Sequence, residues 1–188
     1  MQKKKQYFFP EEYFEMEEAA EYKSEYYHGE IFAMSGASFN HNITAGNTFA
    51  SLHSSLSDSD CTVFTSDMKI QVDEDRHYTY PDISIACGDI EFAKNRNDTI
   101  INPIVIFEVL SESTMDYDRG AKFAAYKNIS SLKDYILIDQ YTCHVEYFYK
   151  NEDGKWSLDE FKNLNDTLKI RTLGIELSLK TVYNRVKW

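Results

Sequence analysis

The stretch 103-PIVIFEVL-110 is apolar at every position but one, and the exception is a carboxylate, Glu108. A short run rich in Val and Ile, opened by a proline, reads as a strand covered on both faces; a strand with one wet face alternates polar and apolar residues instead. A buried carboxylate without a partner is costly, or it takes up a proton. Glu108 therefore calls for a neighbouring cation, a metal ion, or water at the strand end.

The segments around it suggest which. Upstream, 62-TVFTSDMKIQV-72 and 80-YPDISIA-86 read as strands flanking the charged turn 73-DEDRH-77, with Pro81 opening the second strand rather than interrupting it. A polar loop, 88-GDIEFAKNRNDTI-100, leads into the Glu108 strand. Downstream, 116-DYDRGAKFAAYKNI-129 reads as a helix and 134-DYILID-139 as another apolar strand. A helical crossover of that length is what two parallel strands require, so 134–139 is expected to pair parallel with 103–110. Before this core, 40-NHNITAGNTFASLHSSL-56 places Ala45, Phe49, Leu52 and Leu56 on one helical face. Further upstream come a short helix at 10-PEEYFEMEE-18 and a hairpin, 24-SEYYHGEIFAM-34, turning at His28-Gly29. After the core, 143–161 reads as a hairpin around Asp153-Gly154, and 168–186 as short strands with a terminal helix. The expected fold class is α/β of the mixed α+β kind, a mixed central sheet flanked by helices. The expected organisation is one domain over 1–188, with a helix and hairpin extension (1–36), a core (37–140) and a C-terminal sheet extension (141–188).

Composition narrows the class. The 188 residues are 43% hydrophobic, 27% charged and 15% aromatic, ordinary for a folded domain. No apolar run approaches the length of a membrane helix, and acidic residues follow the basic start before any secretory core forms; the reading is cytoplasmic. The lysines at 3–5 read as a solvated tail. Cys61, Cys87 and Cys143 lack metal-ligand or framework spacing and are expected to be buried and reduced. The five histidines likewise show no metal-binding spacing. The formal charge is −11, with 22 acidic against 8 basic residues over 1–118 and 9 against 12 over 119–188. Such a balance opposes loose, charge-driven binding of nucleic acid.

Asp82 begins one core strand and Glu108 ends the next. If the two strands run antiparallel, their carboxylates converge at one sheet edge, an oxygen-donor pair suited to Mg²⁺. On the following helix Asp118, Lys122 and Tyr126 recur every four residues, and the chain's return toward the strand end brings Lys122 near Glu108. An ammonium there would orient a water or stabilise charge on a phosphoryl oxygen. Ordinary readings compete with these. Glu108 is also a plausible strand-end acid, and Lys122 a partner of Asp118 on an exposed face, worth only ~0.3–0.5 kcal/mol. Tyr126 reads as a core aromatic, and Asp67 as a lesser contributor on a nearby strand.

The ordered set EYYHGEIFAMSGAS (25–38), His41, YPDISIACGD (80–89), PIVIFEVLSEST (103–114), DYDRGAKFAAYKNI and LKDYILID resembles the Uma family of bacterial "putative restriction endonucleases", within the PD-(D/E)XK nuclease superfamily. The resemblance covers roughly residues 20 to 140. It implies a restriction-endonuclease-like core and hydrolysis of DNA, with Asp82, Glu108 and the Val109 carbonyl holding Mg²⁺ or Mn²⁺ and Lys122 assisting. Glu25, as a further acid, and His41, as a polar contact at the cleft, lie in matching stretches. The superfamily places its lysine two residues after the acid, where this chain has Leu110; the family-like arrangement moves it to the helix, at Lys122. A second reading keeps the nuclease scaffold but makes it a catalytically silent homodimeric interaction module, and a homodimer is expected under either.

Overall fold

The computed structural model describes residues 6–34, 36–73 and 76–188. The lysines at 3–5 and two residues of the charged turn, Glu74 and Asp75, lie outside them. The chain forms α1 (Pro10–Ala19), β1 (Ser24–Tyr27), β2 (Glu30–Ala33), α2 (Phe39–Ser55), β3 (Cys61–Thr65), β4 (Lys69–Asp73), β5 (His77–Thr79), β6 (Ile83–Cys87), β7 (Thr99–Ile100) and β8 (Val105–Leu110). A helix over residues 115–126, α3, precedes β9 (Asp134–Asp139), β10 (Val145–Lys150), β11 (Trp156–Phe161), β12 (Thr167–Ile170), β13 (Ile175–Ser178) and a last short helix, Leu179–Val182.

The quoted stretch is β8, buried at all six positions. It lies inside a six-stranded sheet ordered β11-β10-β9-β8-β6-β3. It runs parallel to β9 and antiparallel to β6, and both of its apolar faces are covered. Side chains alternate across the sheet. Val105, Phe107 and Val109 enter a core shared with α2 (Leu52), β9 (Ile136, Ile138) and the C-terminal segment (Leu168, Leu177, Val182). Ile106 and Leu110 enter a second core with Phe123 and Tyr126 of α3 and with Ile70 and Ile100. By that alternation Glu108 faces α3, so its partner has to come from there. The expected helical face of α2 is also present: Leu52 and Leu56 are buried, with Ala45 and Phe49 packed on the same core.

Three expectations change. The stretch 62–72 is not one strand: it breaks at Ser66-Asp67 into β3 and β4, which belong to different sheets. The second sheet, ordered β2-β1-β5-β4-β7, takes in the N-terminal hairpin, so that hairpin is built into the molecule through Tyr26↔Tyr78 and Tyr27↔His77. Its turn has the positive φ expected of His28-Gly29, 47° and 84°. The cysteines are half-buried rather than buried, and Cys61 and Cys87, directly opposed on β3 and β6, are joined in a disulfide while Cys143 is free. Sequence spacing carries no trace of that pairing, because it follows from strand register. Among the described residues no helix is long and apolar enough to cross a membrane.

Candidate active site at the end of the central sheet

Asp82 stands one residue before β6, and the register Ile83↔Phe107 brings it beside the end of β8. Its Oδ2 accepts the Val109 N–H at 2.7 Å. Extending that register by two residues sets Pro81 opposite Val109, and proline has no N–H to offer the Val109 carbonyl. The Pro81-Asp82 pair thus does two things at the strand end: it replaces one ladder bond with a side-chain carboxylate and leaves a carbonyl outside the ladder. His41, near the start of α2, places Nε2 3.3 Å from the same Asp82 oxygen. Burial pushes its imidazole down, but the hydrogen bond and charge of Asp82, with Asp118 and the Val109 backbone, outweigh it and hold His41 above its ordinary value. The α2 cap is regular: the Ser38 side chain accepts the His41 N–H at 3.1 Å.

Glu108 lies under α3. The middle turn of that helix, Asp118–Lys122, is π-helical, a widening found often at functional sites. From it Lys122 places Nζ 2.8 Å from Glu108 Oε1, 3.2 Å from Glu25 Oε1 and 3.6 Å from Asp118 Oδ1. The Lys122–Asp118 pair is therefore part of a buried cluster, not an exposed helix pair. Tyr126, fully buried as a core aromatic should be, also donates its hydroxyl to Glu108 Oε1 at 3.1 Å and meets Thr79 Oγ1 at 2.9 Å. Glu25 arrives on β1, accepts the Tyr80 N–H at 3.2 Å and is largely buried.

The structure thus gathers Asp82, Val109, Glu108, Lys122, Glu25 and His41 at one end of the sheet. Asp67 does not join them: it is exposed on the β3–β4 turn and pairs with Lys23. Sequence reasoning missed the Tyr126 hydroxyl and the direct Asp82–His41 contact. The four-residue spacing of Asp118, Lys122 and Tyr126 was the available signal for the first; nothing local signals the second.

Electrostatically the cluster is short of positive charge. Glu25, Asp82, Glu108 and Asp118 surround one ammonium and one imidazole. Burial raises the Glu108 carboxyl well above its usual range despite Lys122, with Asp118 and Asp82 adding to the rise. Asp118 is raised for the same first reason, again against Lys122. Burial alone would lower Lys122, but Glu108 and Glu25 keep it firmly protonated. Hard oxygen donors in excess of the cations around them suit a divalent ion of the Mg²⁺ type. Among the described residues, the three potential ligands that do lie within 4.8 Å of one another are Asp60, Cys61 and Cys87, at the other end of β6. The disulfide leaves those sulfurs no thiolate to offer.

Residues 10–181 match the family model described as "Putative restriction endonuclease", Uma2. Two uncharacterized proteins of Synechocystis sp. are similar along nearly their whole length. One, slr1290, is 35% identical over 93% of this chain and 90% of its own. The other, sll1609, is 36% identical over 87% and 93%. Among solved structures, a "putative nuclease" of the DUF820 group from Anabaena variabilis shares the fold with a TM-score of 0.79, covering 96% of this chain and 99% of its own at 18% identity. Sequence and fold agree over the same span, and the chain belongs to the Uma2 family of "putative restriction endonucleases".

Proposed function

We propose that this protein is a metal-dependent endonuclease that hydrolyses DNA, with its reaction centre at the Asp82–Glu108–Lys122 cluster. One observation carries the reading: a buried lysine on a π-helical turn meets the acid at the end of the central strand, beside a second acid that is hydrogen-bonded to the next residue of that strand. Asp82, Glu108 and the Val109 carbonyl would hold Mg²⁺ or Mn²⁺. When bound, that ion supplies a Lewis acid for the phosphoryl oxygen and lowers the pKa of a water.

The protein's own groups have distinct tasks. Lys122 donates hydrogen bonds toward the attacking water or the phosphoryl oxygens, where negative charge grows as the new O–P bond forms and the bond to the leaving oxygen breaks. Tyr126 and Lys122 both hold Glu108 Oε1, which fixes the carboxylate rotamer. His41 and the Val109 N–H do the same for Asp82. Glu108 and Glu25 keep Lys122 protonated, so the lysine acts as a donor and an electrostatic partner rather than a base.

Asp82→Ala, Glu108→Gln and Lys122→Met are expected to lose at least about 100-fold in cleavage of plasmid or single-stranded DNA with Mg²⁺ or Mn²⁺. Calorimetric titration of Mn²⁺ gives a readout independent of substrate: the wild type binds, and the two carboxylate variants bind weakly or not at all. A wild type that takes up no divalent cation, together with three variants that match it in every nuclease assay, would falsify the proposal.

A further inference from the structure

We propose that Phe39, Tyr141 and Trp188 form a stacking platform for unpaired nucleobases beside the candidate site, which makes single-stranded DNA the substrate class. The inference rests on the nuclease reading above. The three rings are 56%, 41% and 57% exposed, and two of them, Tyr141 and Trp188, are held at an edge by a hydrogen bond. The Tyr141 hydroxyl accepts the Glu112 N–H at 3.2 Å. Trp188 Nε1 donates to the Gln140 carbonyl at 3.3 Å. Lys187 Nζ sits over one face of the Phe39 ring, 5.0 Å from its centre, which leaves the other face for a base. Rings already held by such contacts lose little conformational freedom when a base stacks on an exposed face.

Their frame also reaches the candidate site. Gln140, buried just after β9, donates to the Leu110 carbonyl at 2.7 Å, two residues beyond Glu108. The Ser38 hydroxyl meets its side-chain carbonyl, and Asn40 Nδ2 approaches its backbone carbonyl at 3.4 Å, the same oxygen that Trp188 uses. Asn40 in turn binds the Lys187 carbonyl at 2.8 Å and its N–H at 3.1 Å. Phe39 therefore precedes His41 by two residues on one rigid helix start, with Trp188 docked against it.

Charge selects the occupant. A chain of net charge −11 is poorly suited to gripping a duplex through phosphates alone. Stacking does not depend on net charge and accepts any base whose face is free, which a duplex does not offer. Lys187 supplies a cation beside the rings for the adjoining backbone.

The test uses the full chain in EDTA, titrated into a labelled oligodeoxythymidylate and, separately, a duplex. Phe39→Ala and Trp188→Ala are each expected to weaken oligothymidylate binding by roughly tenfold, since stacking on one ring is worth that much or more. Trp188→Phe should keep most of the affinity, and the alanine variants should lose far less on the duplex. Alanine variants that bind oligothymidylate as tightly as wild type, while Asp82→Ala still abolishes cleavage, overturn the platform and leave the nuclease reading standing. A Trp188→Ala variant that changes sedimentation but not oligothymidylate binding assigns the rings to a second copy of the chain, and also overturns it. A wild type that neither cuts nor binds DNA removes both readings.

Discussion

His77 is buried on β5 with its Nε2 3.5 Å from the Tyr117 hydroxyl. Burial, then the charges of Lys122 and His28, push its imidazole down to about 4. In the unfolded chain it titrates near ~6.5. Because the folded value is the lower one, the contribution of neutral His77 is fully present above pH ~6.5 and is lost as pH falls toward 4. By pH 5 the loss amounts to about 2 kcal/mol. Glu108 and Asp118, raised by burial, pull the other way over the same range, so the quantity to read is a difference. His77→Gln should lose about 2 kcal/mol less than wild type in urea-unfolding free energy between pH 7 and pH 5; equal losses would refute the assignment. At this scale the candidate site was largely legible. An acid in an apolar strand and a proline-acid pair opening the previous strand are visible without a structure, and helical spacing pointed to the lysine. What stayed hidden was which hydroxyls and imidazoles meet these acids. Contacts such as Asp82–His41 join α2 to β6 across some forty residues of chain and depend on how the helix end sits on the sheet.

Between elements, a second buried ion pair lies where α1 packs on the second sheet. Lys69 of β4 is 1% exposed and paired with Glu17 of α1. Its ammonium lies 4.7 Å from the Phe14 ring centre and 5.2 Å from those of Tyr13 and Tyr80. The Tyr80 hydroxyl donates to Glu17 Oε1 at 2.8 Å. Removing one partner of a buried ion pair strands the other charge, at a cost of about 3–5 kcal/mol. Lys69→Met should lower the urea midpoint accordingly, and Lys69→Met with Glu17→Gln should recover much of the loss. A single variant as stable as wild type would mean that solvent reaches Glu17. This packing matters for the site because α1 and β1 together set the position of Glu25: Tyr13 donates to the Ser24 carbonyl at 2.7 Å, one residue before it. The second sheet escaped the sequence reading for a physical reason. β5 has three residues and β7 two, too few for any alternation to register, and β3 and β4 follow each other so closely, with no Gly or Pro between them, that they read as one strand. The π-helical turn has no compositional signature at all, whereas β8, β9 and α2 carry long, regular patterns and were read correctly.

Across the whole molecule the acidic balance and the site have a common consequence. A chain of net charge −11 that folds four carboxylates around one ammonium and one imidazole keeps unfavourable charge at the end of its central sheet. A divalent ion bound by the folded state and not by the unfolded one should relieve that strain, and linkage turns its affinity into stability. The gain is about 2.7 kcal/mol when the free ion is at 100 times its dissociation constant. Thermal unfolding followed against Mn²⁺ or Mg²⁺ concentration should therefore show a midpoint that climbs continuously with the logarithm of concentration. Sodium chloride at matched ionic strength should give a small, early-saturating shift, because it only screens the surface. Asp82→Ala and Glu108→Gln should each flatten the divalent response while keeping the salt response. A divalent response that survives both substitutions would place the ion elsewhere on the acidic surface. An identical response to sodium and magnesium at equal ionic strength would remove the site altogether.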